Sequence, residues 1–171
     1  MIIDLLKIIL PSILVFLAGY LAIDRLLREE NKRRQTEVAL GTKRVTTPIR
    51  LQAYERIILY LERISPDSLL VRVNQPGISA KKLQSNLLNT IRTEWEHNLS
   101  QQLYISTGAW GKVRNAKDNV VKLINTSTDE IEKDASGMKL SQVILENLVE
   151  LDSHPTKTAI ETLKTEVKEL F

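Results

Sequence analysis

Sixteen consecutive residues without a charge, Ile8 to Ile23, constrain this chain more than any other stretch in it. Extended back over Leu5, Leu6 and Lys7 the run reaches 19 residues, roughly 28 Å as a helix at ~1.5 Å per residue. That is close to a hydrocarbon core of ~30 Å. Lys7 has the reach to snorkel to an interface, and Asp4 stands three residues before it as a partner. Pro11 lies in the first apolar turns, where it bends a helix less than at mid-span. A cleaved secretory signal requires a positive start and a small-residue cleavage site. Here the start is net neutral and the run ends in Ala22-Ile23-Asp24-Arg25. A buried core helix is the remaining alternative, because the uncharged run sits between the two length classes. The extended length favours a transmembrane anchor over residues 1–24.

Charge supplies the orientation. Arg25, Arg28, Lys32, Arg33 and Arg34 follow the run, and Lys7 alone precedes it. Excess Lys and Arg marks the cytoplasmic side, so the expected topology is single-pass, N-terminus out, with the remaining chain in the cytosol of a bacterial inner membrane. These five cations are also the candidate contacts to anionic lipid headgroups, worth about 1 kcal/mol each near the surface. Cysteine is absent, which fits a reducing compartment. Asn98 and Asn125 head glycosylation sequons, read as chance matches in a cytosolic domain.

Behind the anchor, Arg25 to Thr46 reads as a basic juxtamembrane stalk and linker. Glu29 and Arg33, like Glu30 and Arg34, are spaced i,i+4, and no apolar residue falls between Leu27 and Val38. Gly41 and Thr42 should end the stalk helix, leaving 43–46 as a linker. The domain then occupies residues 47–171. Its hydrophobic content of 43% and charged content of 26% are globular values. Topology alone accounts for the net charge of +3, so nucleic acid is not required as a partner.

Thr47-Pro48 has the form of a helix start. Ile49, Ala53, Tyr54, Ile57, Ile58, Tyr60, Leu61 and Ile64 then form an apolar arc wide enough to need more than one neighbour, which places this helix at the domain's centre. Ser65-Pro66-Asp67 caps and turns the chain. Leu69 to Val73 fits a helical turn or a short strand, and Asn74 to Gly77 is a turn. Ser79 caps a helix with Leu83, Leu87, Leu88, Ile91 and Trp95 on one face. Ser106 caps the next, over 107–125, with Ala109, Trp110, Val113, Ala116, Val120, Leu123 and Ile124 inward. The polar stretch Thr126 to Gly137 reads as a loop or a fraying helix, and Met138 to Leu151 as a helix. After Ser153-His154-Pro155, Ala159, Ile160, Leu163, Val167, Leu170 and Phe171 form a stripe that closes the bundle or pairs with a partner helix.

Candidate chemistry is sparse. Glu94-x-x-His97 is half of a di-iron bundle motif, but Leu151 stands three residues before the only other histidine, His154. Gly108-Ala-Trp-Gly111-Lys112 lacks the spacing and the hydroxyl of a phosphate loop. The sequence shows no nucleophile–histidine–acid pattern, and no cofactor or metal is expected. Glu94, Asn98 and Lys117 fall on inward arcs of consecutive helices and should satisfy one another, since unpaired buried polar groups cost a few kcal/mol each. The expected arrangement is a Glu94–Lys117 ion pair near Asn98; the alternatives are Arg50 or Arg72 as partner, or a helix rolled to expose these groups.

Two stretches, PIRLQAYERIILYLERISPDSLLVRV (48–73) and EWEHNLSQQLYISTGAWGKVRNAK (94–117), resemble an uncharacterised family of single-pass membrane proteins of Bacteroidota, known as a domain of unknown function. The resemblance implies an inner-membrane location and a cytosolic helical domain, with no activity or site residues to carry over. The expectation is therefore a mainly α chain: a transmembrane helix, a helical stalk and a compact bundle of about five helices. Its expected role is non-enzymatic interaction or assembly with a protein partner or a second copy. The alternatives are binding of anionic lipid or nucleic acid, and an enzyme with an unrecognised site.

Overall fold

In a computed structural model, residues 2–170 are described, apart from the side chains of residues 2–15 and of a few positions between 18 and 43. Helices α1 (Ile2–Ile64), α2 (Pro66–Val73), α3 (Ala80–Asn98), α4 (Thr107–Asp129), α5 (Gly137–Glu150) and α6 (Lys157–Leu170) are joined by short connections. One of these is a 3-10 turn, Leu99–Leu103. The chain divides into two compact units, Met1–Thr47 and Pro48–Phe171. Among the described residues there is no strand, and no helix is long and apolar enough to cross a membrane. Most of the run read as an anchor, up to Val15 and at Ala18, lies outside the described side chains.

The expected helix break at Gly41–Thr42, the linker at 43–46 and the helix start at Thr47 are not found, because helix continues through all of them. A glycine costs a helix interior about 1 kcal/mol and a proline about 3. Neither ends a helix by itself where no buried surface rewards a turn. At Ile64 the reward exists. Ser65 is extended (φ −53°, ψ 130°), the conformation favoured before a proline, and Pro66 starts α2. The 69–73 ambiguity resolves as helix, with Leu69 and Leu70 buried.

In the 48–171 unit, Ala53, Tyr54, Ile57, Tyr60, Leu61 and Ile64 of α1 are all buried. They span the wide arc read from the sequence, except that Ile49 is exposed and Ile58 half-buried. The other inward faces are Leu83, Leu87 and Ile91 of α3 and the seven expected residues of α4. Ala159, Ile160 and Leu163 of α6 complete the core, so that stripe closes the bundle, while Leu170 stays exposed.

Of the polar stretch after residue 125, the part up to Asp129 is helix. Helix α4 runs on to Asp129 because Ser127 is buried and its hydroxyl accepts from Asn147 Nδ2 (3.0 Å), while the Thr128 hydroxyl donates to the Ile124 carbonyl (2.7 Å). Each of α3, α4 and α5 has a serine N-cap. Ser79 accepts from Lys82 N (3.3 Å), Ser106 from Ala109 N (3.1 Å) and Ser136 from Lys139 N (3.2 Å). These caps satisfy orphan donors in the first turns. The loops before α3 and α5 are tied together. Ala80 N donates to the Ala135 carbonyl (2.9 Å) and Gly137 N to the Ile78 carbonyl (2.7 Å), forming an antiparallel bridge centred on Ser79 and Ser136. Gly77, at φ +78°, makes the turn that presents Ile78 to it, a conformation glycine adopts without steric cost.

Candidate functional site

The three polar residues singled out in the sequence lie near one another without forming the expected pair. Glu94 is largely buried and its Oε1 is bonded by Arg63 Nη2 (3.1 Å), with Arg72 Nη1 at 3.7 Å. Arg72 also donates to the Arg63 carbonyl (3.1 Å). One carboxylate on α3 thus clamps the end of α1 to the end of α2. Arg72 was the alternative partner; Arg63 was not foreseen, because on the helix wheel it lies with the solvated side. Lys117 bonds Asp118 (3.0 Å) instead, and its ammonium stands 4.8 Å from the Trp95 ring centroid, a cation–π placement. Asn98 is buried and donates to the Glu94 carbonyl of its own helix (2.8 Å). Arg50 donates to the Tyr104 carbonyl (3.3 Å).

Beneath the clamp lies an aromatic stack. Trp95 stacks on Trp110 at 4.9 Å and meets Tyr60 at 5.9 Å, tilted. Burial, with Asp118 and Glu94 nearby, pushes the Tyr60 phenol far above its ordinary pKa, so it stays neutral. Among the described residues, the Tyr54 and Tyr60 hydroxyls and the Trp110 indole N–H are buried with no partner at hydrogen-bond distance. The Tyr54 phenol is also raised, by burial first and then by Glu166. His97 is exposed, and among the described residues no three histidines or carboxylates gather as metal ligands. The bridged loops belong to two helix–loop–helix units, an arrangement that calcium-binding pairs share. Such loops need about twelve residues with carboxylates at fixed positions, and the connections at 74–79 and 130–136 are too short for that.

A different constellation forms that the sequence did not show. Ser65, Asp67 and His154 meet where the α5–α6 connection crosses the start of α2. Ser65 Oγ donates to Asp67 and lies 3.4 Å from His154 Nε2; His154 Nε2 is 3.6 Å from Asp67, and its Nδ1 is 3.2 Å from Thr156 Oγ1. This is not a nucleophilic triad. In a triad the acid orients the histidine and the histidine deprotonates an accessible serine. Here the acid accepts the serine's hydrogen bond directly, and Ser65 is buried. The group is a latch that fastens the α5–α6 connection to the α1–α2 corner.

The Ser65 hydroxyl holds the Asp67 carboxyl below the usual carboxylate range, helped by the backbone N–H groups of Asp67 and Ser68 and by His154, against partial burial. A depressed carboxyl stabilises the fold above its unfolded-state pKa, and that contribution is lost as pH falls through its folded value. Asp67→Asn should therefore lower stability at pH 7. The gap to the parent should close on acidification below about pH 4. Because the carboxylate is 62% exposed, water screening holds the effect to about 0.5 kcal/mol. Urea denaturation at several pH values measures it.

His154 also borders a cleft of about 770 Å³ between α4, the end of α5, the 151–156 connection and the start of α6. Its floor is apolar (Ala116, Leu123, Pro155, Ala159) and its rims are polar. The volume lies in the range of ligand-binding clefts.

Among the described residues these features define a helical domain with a closed aromatic core and an open, polar-rimmed cleft. The chain belongs to DUF7935, a family of unknown function whose model matches residues 1–170. No curated protein and no solved structure matches it.

Proposed function

We propose that this protein is a single-pass, membrane-anchored interaction module, non-enzymatic, holding a protein partner at the cytoplasmic face of a bacterial inner membrane. One observation carries the anchor. Phe16, Leu17, Tyr20, Leu21 and Ile23 are all more than half exposed on α1, an arrangement stable in water only at a considerable cost in apolar hydration. Lipid removes that cost. The basic segment that follows serves as a topology determinant and spacer. Arg28 pairs with Asp24 (2.8 Å), Arg34 with Glu30 (3.1 Å) and Arg33 with Glu37 (3.1 Å), the last in place of the expected Glu29. Cations engaged along their own helix have less to offer a headgroup, which favours the interaction reading over lipid binding. A core whose polar groups are clamped structurally, with Ser65 buried and His97 apart, supports a non-enzymatic role.

The full chain should stay in the membrane pellet through alkaline carbonate extraction. Its 48–171 unit should resist protease in spheroplasts and be digested once the inner membrane is opened. Release by carbonate would overturn the anchor, and digestion in intact spheroplasts would overturn the orientation. Mild-detergent purification should then return a stoichiometric protein partner.

A further inference from the structure

The cleft along α4 has a pattern that the proposed interaction role does not by itself require. Lys112, Asn115, Asn119 and Lys122 form one rim at helical spacings, Glu130 at the end of α4 is engaged by Asn147 (2.9 Å), and Glu150 and Asp152 stand on the other elements lining the cleft. Among the described residues, no other side chain bonds any of these four α4 residues. A primary amide offers one acceptor and two donors, the complement of a peptide group. Asn115 and Asn119 are one i,i+4 step apart, about 6 Å along the helix. The two-residue repeat of an extended chain is about 6.6 Å. The lined length from Lys112 to Thr126 is about 21 Å at the helical rise, room for about six extended residues.

We infer that this cleft binds an extended peptide segment, its backbone read by Asn115 and Asn119, with acidic side chains turned toward Lys112 and Lys122 and basic ones toward Glu150 and Asp152. Successive side chains of an extended chain point to opposite sides, so a groove with one cationic and one anionic rim selects alternating charge. The inference rests on the interaction reading and names its partner class.

The test is a selection of random linear peptides displayed on phage against the full chain in detergent, with Asn115→Ala/Asn119→Ala as the counter-target. Both asparagines are exposed, so the double variant should keep its circular dichroism spectrum and Tm. Enriched peptides should alternate acidic and basic residues. Synthesised, they should bind the parent about tenfold or more tightly than the variant, and a block-charge permutation of the same composition should lose binding. Enrichment of no sequence, or equal binding to the variant, overturns the peptide site. A membrane-derived partner retained by the double variant would overturn it too while leaving the interaction role intact. Absence of any such partner, with the peptides still binding, would strike the membrane partner alone.

Discussion

Trp110→Ala is expected to remove about 3–5 kcal/mol from the stability of the 48–171 unit. Trp110 is 6% exposed and stacks on Trp95, which meets Tyr60 and carries Lys117 over its ring. Truncation would empty the space between α4 and α3 and leave Trp95 without its stacking partner. Neighbouring α4 residues Val113 and Ala109 are already packed in the core, so collapse into the void is limited and the cavity cost stays high. Trp110→Phe keeps a ring for Trp95 and deletes an N–H that has no partner among the described residues; it should lose less than about 1.5 kcal/mol. Chemical denaturation followed by far-UV circular dichroism measures both. A Trp110→Ala loss under about 1 kcal/mol would show that the stack is not the core's keystone.

Gly137→Ala should cost about 2–3 kcal/mol, although alanine is the better helix former by about 1 kcal/mol. A Cβ there would lie 2.5 Å from Ile78 Cγ2 and 3.0 Å from the Ile78 carbonyl oxygen. That carbonyl accepts the Gly137 N–H at 2.7 Å, so relieving the clash loosens the bond that joins the two loops. Gly111→Ala is the control. Nothing lies within 4 Å of its added Cβ, and it should stabilise α4 by about 0.5–1 kcal/mol. Equal effects at the two glycines would mean that the loop junction contributes nothing beyond helix propensity.

Local signals in the sequence led to the correct caps at Ser79 and Ser106 and the correct inward face of α4, but not at Thr47-Pro48, where helix runs through. Ser79 and Ser106 are caps because a hydroxyl beside the first turn has few better uses, and all seven apolar residues assigned to α4 are buried because their spacing leaves one inward face. The reading went wrong where the outcome depends on what lies across the fold. Gly41 to Pro48 looked like a break, yet propensity is a weak prior against a propagating helix. The partner of Glu94 depends on the roll of α3 against α1, which brings Arg63 nearer than Lys117. Ser65 and His154 are far apart in sequence, and nothing local announces their contact. The cleft is equally non-local. Lys112, Asn115, Asn119 and Lys122 read as an ordinary solvated face until the α5–α6 connection is placed opposite them.

The reciprocal bonds between the loops at Ser79 and Ser136 bear on timing as well as on shape. Amides in short surface connections ordinarily exchange their hydrogens with water through small, frequent openings. Those of Ala80 and Gly137 are each fastened to the opposite loop, and neither can swing free while the other holds. Their isotope clock is therefore set by the cooperative opening of the bundle that positions both loops. Two backbone hydrogens at the periphery thus report on the integrity of the interior.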